Sequence, residues 1–295
     1  MSLSIIIVNW NVRPLLEECL RSIFQNAPSF DFEVFVVDNA SRDGSVDFLK
    51  KIAKNKKNLH IILNKKNLGF AKANNQAIDK AKGDYILFLN PDTKIIGNAL
   101  EKITESLEKH KNWGICGCKL INIEGDLDPS VRPFPTPFSQ AAILLKLHHL
   151  FPFLKIWKHY FGLDFDYSRE GPADQIKGAF LMTRKKIIEE VGKFDEKFYL
   201  WFEEIDFCYR VKKAGWENYY TPKAKILHYG GQSFSQIFPL AKQKIYNQSL
   251  LYYARKYFFP SSYYFLKIIN PISLLLSWLW QQFSNICVLW RKKNF

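Results

Sequence analysis

The feature that most constrains the fold is an alternation. Four short apolar runs, Ser4 to Val8, Glu33 to Val37, His60 to Leu63 and Tyr85 to Leu89, are separated by helical segments within about the first 110 residues. Pro14 to Asn26 reads as one such helix, with Leu15, Leu16, Cys19, Leu20, Ile23 and Phe24 at helical spacing. Phe70 to Lys82 and Gly97 to His110 read as two more. Strands that alternate with helices predict an α/β fold with a mostly parallel sheet. Short continuous apolar runs suit strands covered on both faces. In such sheets ligands sit beyond the carboxyl ends of the strands. The polar turns after each run are therefore where chemistry is expected.

Tyr85 to Leu89 ends in Asn90-Pro91-Asp92, which places one carboxylate where a nucleotide or metal would sit. The same three residues are ordinary turn formers, so the tripeptide also reads as a simple turn. The second run ends in Asp38, which could accept a hydrogen bond from a base N–H or a ribose hydroxyl, or close an Asx turn. Asp43 reads as a cap, with Gly44-Ser45 opening the next helix. The first run ends in Val8-Asn9-Trp10-Asn11. No G-x-G-x-x-G follows it and no G-x-x-x-x-G-K-[ST] occurs anywhere, which argues against dinucleotide-binding and P-loop chemistry.

Farther along, Asp174 to Met182 reads as a strand in which Gly178-Ala179 allows a ligand close to the backbone. Glu203, Glu204 and Asp206 follow the aromatic stretch Phe198 to Phe202. If they open a helix, Glu203 and Asp206 share a face and Glu204 points elsewhere. Acidic residues also suit a helix N-terminus for electrostatic reasons alone. His228 ends another predicted strand, where a lone histidine is ordinarily structural.

The charge balance concerns partners. Lys and Arg total 42 against 28 Asp and Glu, a net charge of +14. That excess suits nucleic acid, an anionic membrane surface or phosphorylated substrates. An aromatic content of 16% favours a membrane interface or sugar stacking. The five cysteines are scattered, with only Cys116 and Cys118 close and no second pair to complete a zinc site, which suits a reducing compartment. Met1 to Ser4 runs into a strand without a basic leader or cleavage site, so the catalytic part is expected to stay on the cytoplasmic side.

Two segments carry a membrane signal. Ala141 to Phe161 is basic and amphipathic, interrupted at Pro152. Ile268 to Trp290 carries no charge and is long enough to span a bilayer. Within it Asn270, Ser273, Ser277, Gln281 and Ser284 form a polar stripe opposite Ile272, Leu275, Leu276, Leu279, Phe283 and Ile286. Trp278, Trp280 and Trp290, with Lys267 and Arg291-Lys292-Lys293, suit interfacial anchors. The expectation is a helix lying on anionic lipids, with a single C-terminal anchor as the alternative and packing on the protein's own core as the remaining reading. Residues 1–240 are read as the catalytic domain, split into a nucleotide half (1–120) and an acceptor half (121–240), and residues 241–295 as a membrane-associating helical appendage.

Four blocks together carry a resemblance. Ser4 to Asn11, Val36 to Ser45, Asn67 to Ala71 and Leu89 to Asp92 stand in the order and at the spacing of glycosyltransferase family 2, and the chain is similar to its rhamnosyltransferase-like branch acting on cell-surface polysaccharides. The resemblance implies a GT-A fold, a nucleoside-diphosphate sugar donor, a divalent metal (Mn²⁺ or Mg²⁺), an inverting mechanism and a lipid-linked or glycan acceptor. By position it puts Val8, Asn9 and Asp38 at the nucleotide, and Asn67, Gly69, Phe70, Lys72 and Asn75 along the diphosphate-sugar, with Gly178 beside the donor. Asp92 would be the metal-binding carboxylate of the D-x-D motif, with Asn90 where many members carry the first Asp. Glu204 would be the catalytic base, where many relatives have Asp, with Glu203 in reserve. Asp206 and Arg210 would form a structural pair, and His228 would be a second metal ligand. Lys72 stands where glycine is common. The rival readings are a nucleotidyltransferase on a similar sheet, a sugar-nucleotide-binding scaffold without turnover and a basic nucleic-acid-binding protein. No nucleic-acid recognition motif is present, so that last partner is not expected.

Overall fold

A computed structural model describes residues 1–232 and 236–293, with residues 283–293 described by their backbone alone. The first half alternates as expected: β1 (Ser2–Asn9), α1 (Arg13–Gln25), β2 (Asp31–Asp38), α2 (Ser45–Ala53), β3 (Leu59–Leu63), α3 (Phe70–Ile78) and β4 (Tyr85–Leu89). β1 lies between β2 and β4 and is parallel to both, with Asn9 opposite Asp38 and Ile7 opposite Leu89. This register brings the three strand ends to one edge, where their turns open into a shared cleft.

The second half breaks the pattern. It runs β5 (Thr93–Ile95), α4 (Ala99–Lys109), β6 (Trp113–Ile121), β7 (Leu127–Asp128), β8 (Val131–Arg132), α5 (Pro137–Leu144), α6 (Leu147–Leu150), α7 (Lys155–Tyr160), β9 (Gly171–Ala173), β10 (Gln175–Ile176), β11 (Phe180–Arg184), α8 (Lys185–Val191), α9 (Glu203–Lys213), β12 (Glu217–His228), α10 (Pro239–Tyr257) and α11 (Pro260–Lys293). The main sheet has the order β3-β2-β1-β4-β11-β6-β12-β5. It is mixed, not mostly parallel. β11 is antiparallel to both β4 and β6, and β12 is parallel to β6 but antiparallel to β5 and β9. The single strand expected across Asp174 to Met182 is in fact two, because the chain turns at Lys177–Ala179. β10 pairs with β8 in a separate two-stranded sheet, and β11 then enters the main sheet in the reverse direction.

Alternate residues of each central strand face two cores. Ile5, Ile7, Val34 and Leu87 pack with Leu16, Leu20, Leu49 and Ile103 of α1, α2 and α4. Ile6, Phe35, Val37 and Phe88 pack with Ala73, Ala77, Ile187 and Phe207 of α3, α8 and α9. Cover on both faces is why these strands read as continuous apolar runs.

A third cluster joins the last two helices to α5 and the segment before α9. Leu250, Tyr253, Leu266 and Ile269 pack against Leu144, Phe198 and Phe202. The polar stripe of α11 is the buried face, contrary to an interfacial helix that would show it to water. Asn247 Nδ2 donates to Asn270 Oδ1 at 2.6 Å, Ser277 Oγ donates to Gln243 Oε1 at 3.1 Å, and Ser273 is fully buried. The opposite apolar face is bare, with Ile268 73% and Leu279 49% exposed. Among the described residues no helix is long and apolar enough to cross a membrane. The side chains of the expected anchors Trp290 and Arg291-Lys292-Lys293, and of Phe283, Ser284 and Ile286, lie outside the described residues.

Ala141 to Phe161 is likewise not one interrupted helix. It is broken near Pro152, as expected, and also at Lys146, whose backbone is left-handed (φ +58°) between α5 and α6.

Candidate active site

At the ends of β1 and β2, Asp38 is fully buried and both its oxygens are used within the fold. Asn9 Nδ2 donates to Oδ2 at 2.8 Å and the Ser41 N–H donates to Oδ1 at 2.9 Å. The wall of the cleft at this point is formed by Val8, Trp10 and Asn39. Asp43 is not the cap of α2, a position Gly44 holds; it closes an Asx turn just before it, accepting from the Ser45 N–H at 3.1 Å and also from the Arg13 N–H at 2.7 Å, which ties α1 to α2.

The next wall is the start of α3. Gly69 has φ +83°, and a Cβ there would collide with the Tyr199 carbonyl oxygen, which itself accepts the Phe70 N–H at 2.9 Å. Glycine thus lets α3 lock onto the loop that leads to Glu203. Asn67 accepts the Gly69 N–H at 2.9 Å and lines the cleft. The two other residues expected here are elsewhere. Lys72 is exposed and lies 3.8 Å from Glu196. Asn75 is buried, donating to the Phe194 carbonyl at 2.9 Å and accepting the Phe194 N–H at 3.2 Å, so it clamps α3 to the 194–196 loop.

Past β4, the Asn90 N–H donates to the Ala179 carbonyl at 3.1 Å, which sets the turn against Gly178. Asp92 is buried and His228 Nε2 lies 3.5 Å from its Oδ1. His228 Nδ1 lies 2.7 Å from Asp128 Oδ2, and Asp128 in turn takes Lys177 Nζ at 2.7 Å. Nδ1 thus faces Asp128, and the buried Nε2, which makes no hydrogen bond of ordinary length, faces Asp92. Burial works against charge on His228, but the Asp128 and Asp92 carboxylates outweigh it and raise the imidazole above its usual range. Burial likewise pushes the Asp92 carboxyl up, and His228 together with the Gln232 N–H more than offsets it. Asp128 is a residue that sequence reasoning did not find.

Among the described residues no group of three or more His, Cys, Asp or Glu side chains converges to hold a metal unaided. Asp92 and His228 fit the other case, in which two protein ligands share an ion with ligand oxygens. On losing its Nε2 proton to an incoming ion the ring would offer that ion a lone pair beside Asp92, and a carboxylate behind Nδ1 is the usual support of a metal-binding imidazole.

On the opposite side, Trp201 and Phe202 both have positive φ (63° and 70°) immediately before α9. Left-handed backbone costs an ordinary residue about 1–2 kcal/mol, and two in succession turn the start of α9 into the cleft. Glu203 is buried, Glu204 is half-buried, and each has an Oε2 with no hydrogen-bond partner. Burial raises both carboxyls; Glu204 adds to the rise at Glu203, and Arg132 opposes the rise at Glu204. A Cβ on Gly178 would stand 3.9 Å from the Glu204 side chain, an ordinary contact distance that places the two residues side by side in the cleft. Asp206, fully buried, pairs with Arg210 Nε at 2.7 Å as expected, and also takes Lys256 Nζ and the Tyr257 hydroxyl at 2.6 Å, which fastens α10 to α9.

These features border one cleft with two parts. Val8, Asn39, Asn67, Gly69 and Asp92 line the narrower part. Arg132, Lys177, Gly178, Glu203, Glu204 and His228 line a wider part of about 540 Å³. Phe70, Asn90, Leu200 and Gly231 border both. Arg132, an exposed residue, borders the cleft with its guanidinium 5.5 Å from the Phe161 ring centre.

Comparison with known proteins identifies the family and the fold. Residues 4–191 match the glycosyl transferase family 2 pattern. The N-acetylglucosaminyl-diphospho-decaprenol L-rhamnosyltransferase of Mycobacterium tuberculosis is 24% identical over 242 residues, covering 78% of this chain and 77% of the relative. The rhamnosyltransferase WbbL of Escherichia coli is 28% identical over 261 residues, covering 85% and 92%. The mannosyltransferase PcManGT of Pyrobaculum calidifontis, solved with GDP-Man and Mn²⁺, superposes with a TM-score of 0.59 at 16% identity over 93% of this chain and 72% of that one, a likeness of fold. With its GT-A-like sheet and a family match over more than half its length, the chain belongs to glycosyl transferase family 2 and is a glycosyltransferase.

Proposed function

We infer that the protein is a metal-dependent, inverting glycosyltransferase that moves a sugar, with L-rhamnose the first to test, from a nucleoside-diphosphate donor to a lipid-linked or polysaccharide acceptor. One observation carries this reading: an unpartnered His228 Nε2 beside Asp92 shares a cleft with two buried, unpartnered carboxylate oxygens. The narrower part of the cleft is assigned to the donor and the wider part to the acceptor. Rhamnosyl transfer is favoured because two relatives are named for it.

An acceptor hydroxyl is a weak nucleophile. Glu204 takes its proton while the oxygen attacks the anomeric carbon, and the bond from that carbon to the phosphate oxygen breaks with its electron pair leaving on the nucleoside diphosphate. One displacement inverts the anomeric centre. A carboxyl raised by burial sits closer to the working pH, which suits a base. Asp92 and His228 would hold Mn²⁺ or Mg²⁺, which when bound neutralises charge on the diphosphate. Asp128 holds the His228 ring. Asn90 carries no charge, so Asp92 supplies the carboxylate of this turn. Glu203 acts as base only if Glu204 does not.

Residues 1–240 are assigned the transfer chemistry and residues 241–295 the docking of the enzyme to the cytoplasmic face of an anionic membrane, through the bare apolar side of α11. The test is a panel of nucleotide sugars with Mn²⁺, scored by release of nucleoside diphosphate. Pyrophosphate release from a nucleoside triphosphate, with no turnover of any nucleotide sugar, would instead identify a nucleotidyltransferase.

A further inference from the structure

A second groove adjoins the acceptor side of the cleft. It lies between α5–α6 on one wall and α10 and α11 on the other, with a volume of about 870 Å³. Ile143, His148, Trp201 and Tyr246 line both the groove and the cleft, so the two are continuous. The far end opens beside Leu150 and Trp280, each 65% exposed, on the same side as the bare face of α11.

The lining has a particular chemistry. Leu145, Leu150, Leu276 and Trp280 supply apolar wall, and among the described residues no Asp or Glu lines it. Lys146, His149 and Lys242 supply basic groups, and among the described residues none of the three forms an ion pair. Lys146 is held inward by its left-handed backbone and donates to Gln243 Oε1, a neutral partner that leaves the ammonium charge uncompensated. His148 Nδ1 is buried without a partner. A buried polar atom left unpaired is costly, and so is a partly buried ammonium without an anion. An anion at the inner end of the groove would compensate both.

We propose that this groove takes the lipid diphosphate of a membrane-borne acceptor: the diphosphate against Lys146, His148 and Lys242, the first isoprenoid or alkyl units along Leu145 and Leu276, and the remaining chain passing between Leu150 and Trp280 into the bilayer. The acceptor sugar then projects past Tyr246 and Trp201 toward Glu204. This deepens the transferase reading and rests on it for the orientation of the sugar, but the lipid site itself does not depend on turnover. It also accounts for α10 and α11 packing their polar sides together and facing their apolar side out, since the wall they build is open to lipid.

Farnesyl diphosphate serves as a soluble probe for the full-length protein, its binding followed by tryptophan fluorescence and calorimetry. Binding is expected to be at least tenfold tighter than that of farnesol or inorganic pyrophosphate. Leu276→Trp, which fills the groove, and Lys242→Glu, on a half-exposed position that folding tolerates, are each expected to weaken it at least tenfold. Binding of UDP, GDP or dTDP with Mn²⁺ is expected to be unchanged in both variants. Equal binding of farnesyl diphosphate by the variants and the parent overturns the proposal, as does pyrophosphate binding as tightly as farnesyl diphosphate. A dimer that Leu276→Trp dissociates also overturns it, because a second copy then fills the groove. Farnesyl diphosphate binding that survives where no nucleoside diphosphate binds upholds the groove and removes the transferase reading.

Discussion

Replacing Asp128 by alanine tests whether the His228 ring is held for metal binding. In the structure Asp128 Oδ2 stands 2.7 Å from His228 Nδ1 and 2.7 Å from Lys177 Nζ. The contact to Lys177 is partly solvent-exposed, so it contributes little. The contact to His228 is the larger one, because it fixes the tautomer that leaves Nε2 free and helps raise the basicity of the ring. Loss of such a supporting carboxylate ordinarily weakens metal binding by about 10- to 100-fold, which is about 1.4–2.7 kcal/mol. The expected outcome is that Asp128→Ala needs 10- to 100-fold more Mn²⁺ for half-maximal turnover of the nucleotide sugar, while circular dichroism and melting show a folded protein. Asp128→Asn keeps an acceptor oxygen and is expected to lose less than tenfold. A folded Asp128→Ala with the parent's Mn²⁺ requirement would refute the argument, since the ring would then not need its carboxylate.

Gly69→Ala places a Cβ against the Tyr199 carbonyl at φ +83° and is expected to cost roughly 2 kcal/mol or more, read by urea denaturation; a loss under 0.5 kcal/mol counts against the lock between α3 and the 199–202 loop. Burial, reinforced by Glu204, raises the Glu203 carboxyl in the folded state above its ordinary value of 4.5. The stability that group allows is therefore fully present below pH 4.5 and lost as pH rises through the raised value. Glu203→Gln should accordingly melt higher than the parent at pH 8 and at nearly the same temperature at pH 4; a gap that is equal at both pH values would show that the carboxyl is not perturbed. Ile272→Glu with Leu279→Glu charges the bare face of α11, where both side chains are exposed, and should reduce pelleting with anionic liposomes severalfold without moving the melting temperature. Unchanged pelleting would exclude that face from membrane contact.

The strands and the cleft edge were legible because the physics is local. An apolar run of five residues followed by Asn90-Pro91-Asp92 or by Asp38 marks a strand end, and parallel register then brings such ends together. Side-chain destinations were less legible. Asp38 stands at the expected strand end but is consumed by its own turn, Asn75 clamps α3 to the 194–196 loop and Lys72 faces Glu196, because polar side chains satisfy nearby buried backbone and charge first. Asp128 lies in an irregular, proline-rich stretch with no period to read. It reaches His228 only because β7 pairs with β6, setting Asp128 opposite Leu120. The reversal of β11 was equally hidden, since an apolar run reads the same in either direction. In α11 the spacing correctly grouped Asn270, Ser273 and Ser277 on one face. Periodicity says which residues share a face but not which face is covered, and here Asn247 and Gln243 of α10 supply polar partners that bury it.

The central claim is that sugar transfer occurs between the Asp92–His228 pair and the carboxylates that open α9. The most direct measurement compares nucleoside diphosphate release by the parent, Glu204→Gln and Asp92→Ala, with the preferred donor, Mn²⁺ and acceptor. The account predicts that Glu204→Gln binds the donor as the parent does but turns over about 10²- to 10⁴-fold more slowly, and that Asp92→Ala loses Mn²⁺-dependent donor binding. Folded Glu204→Gln and Asp92→Ala proteins that transfer sugar at the parental rate would contradict it.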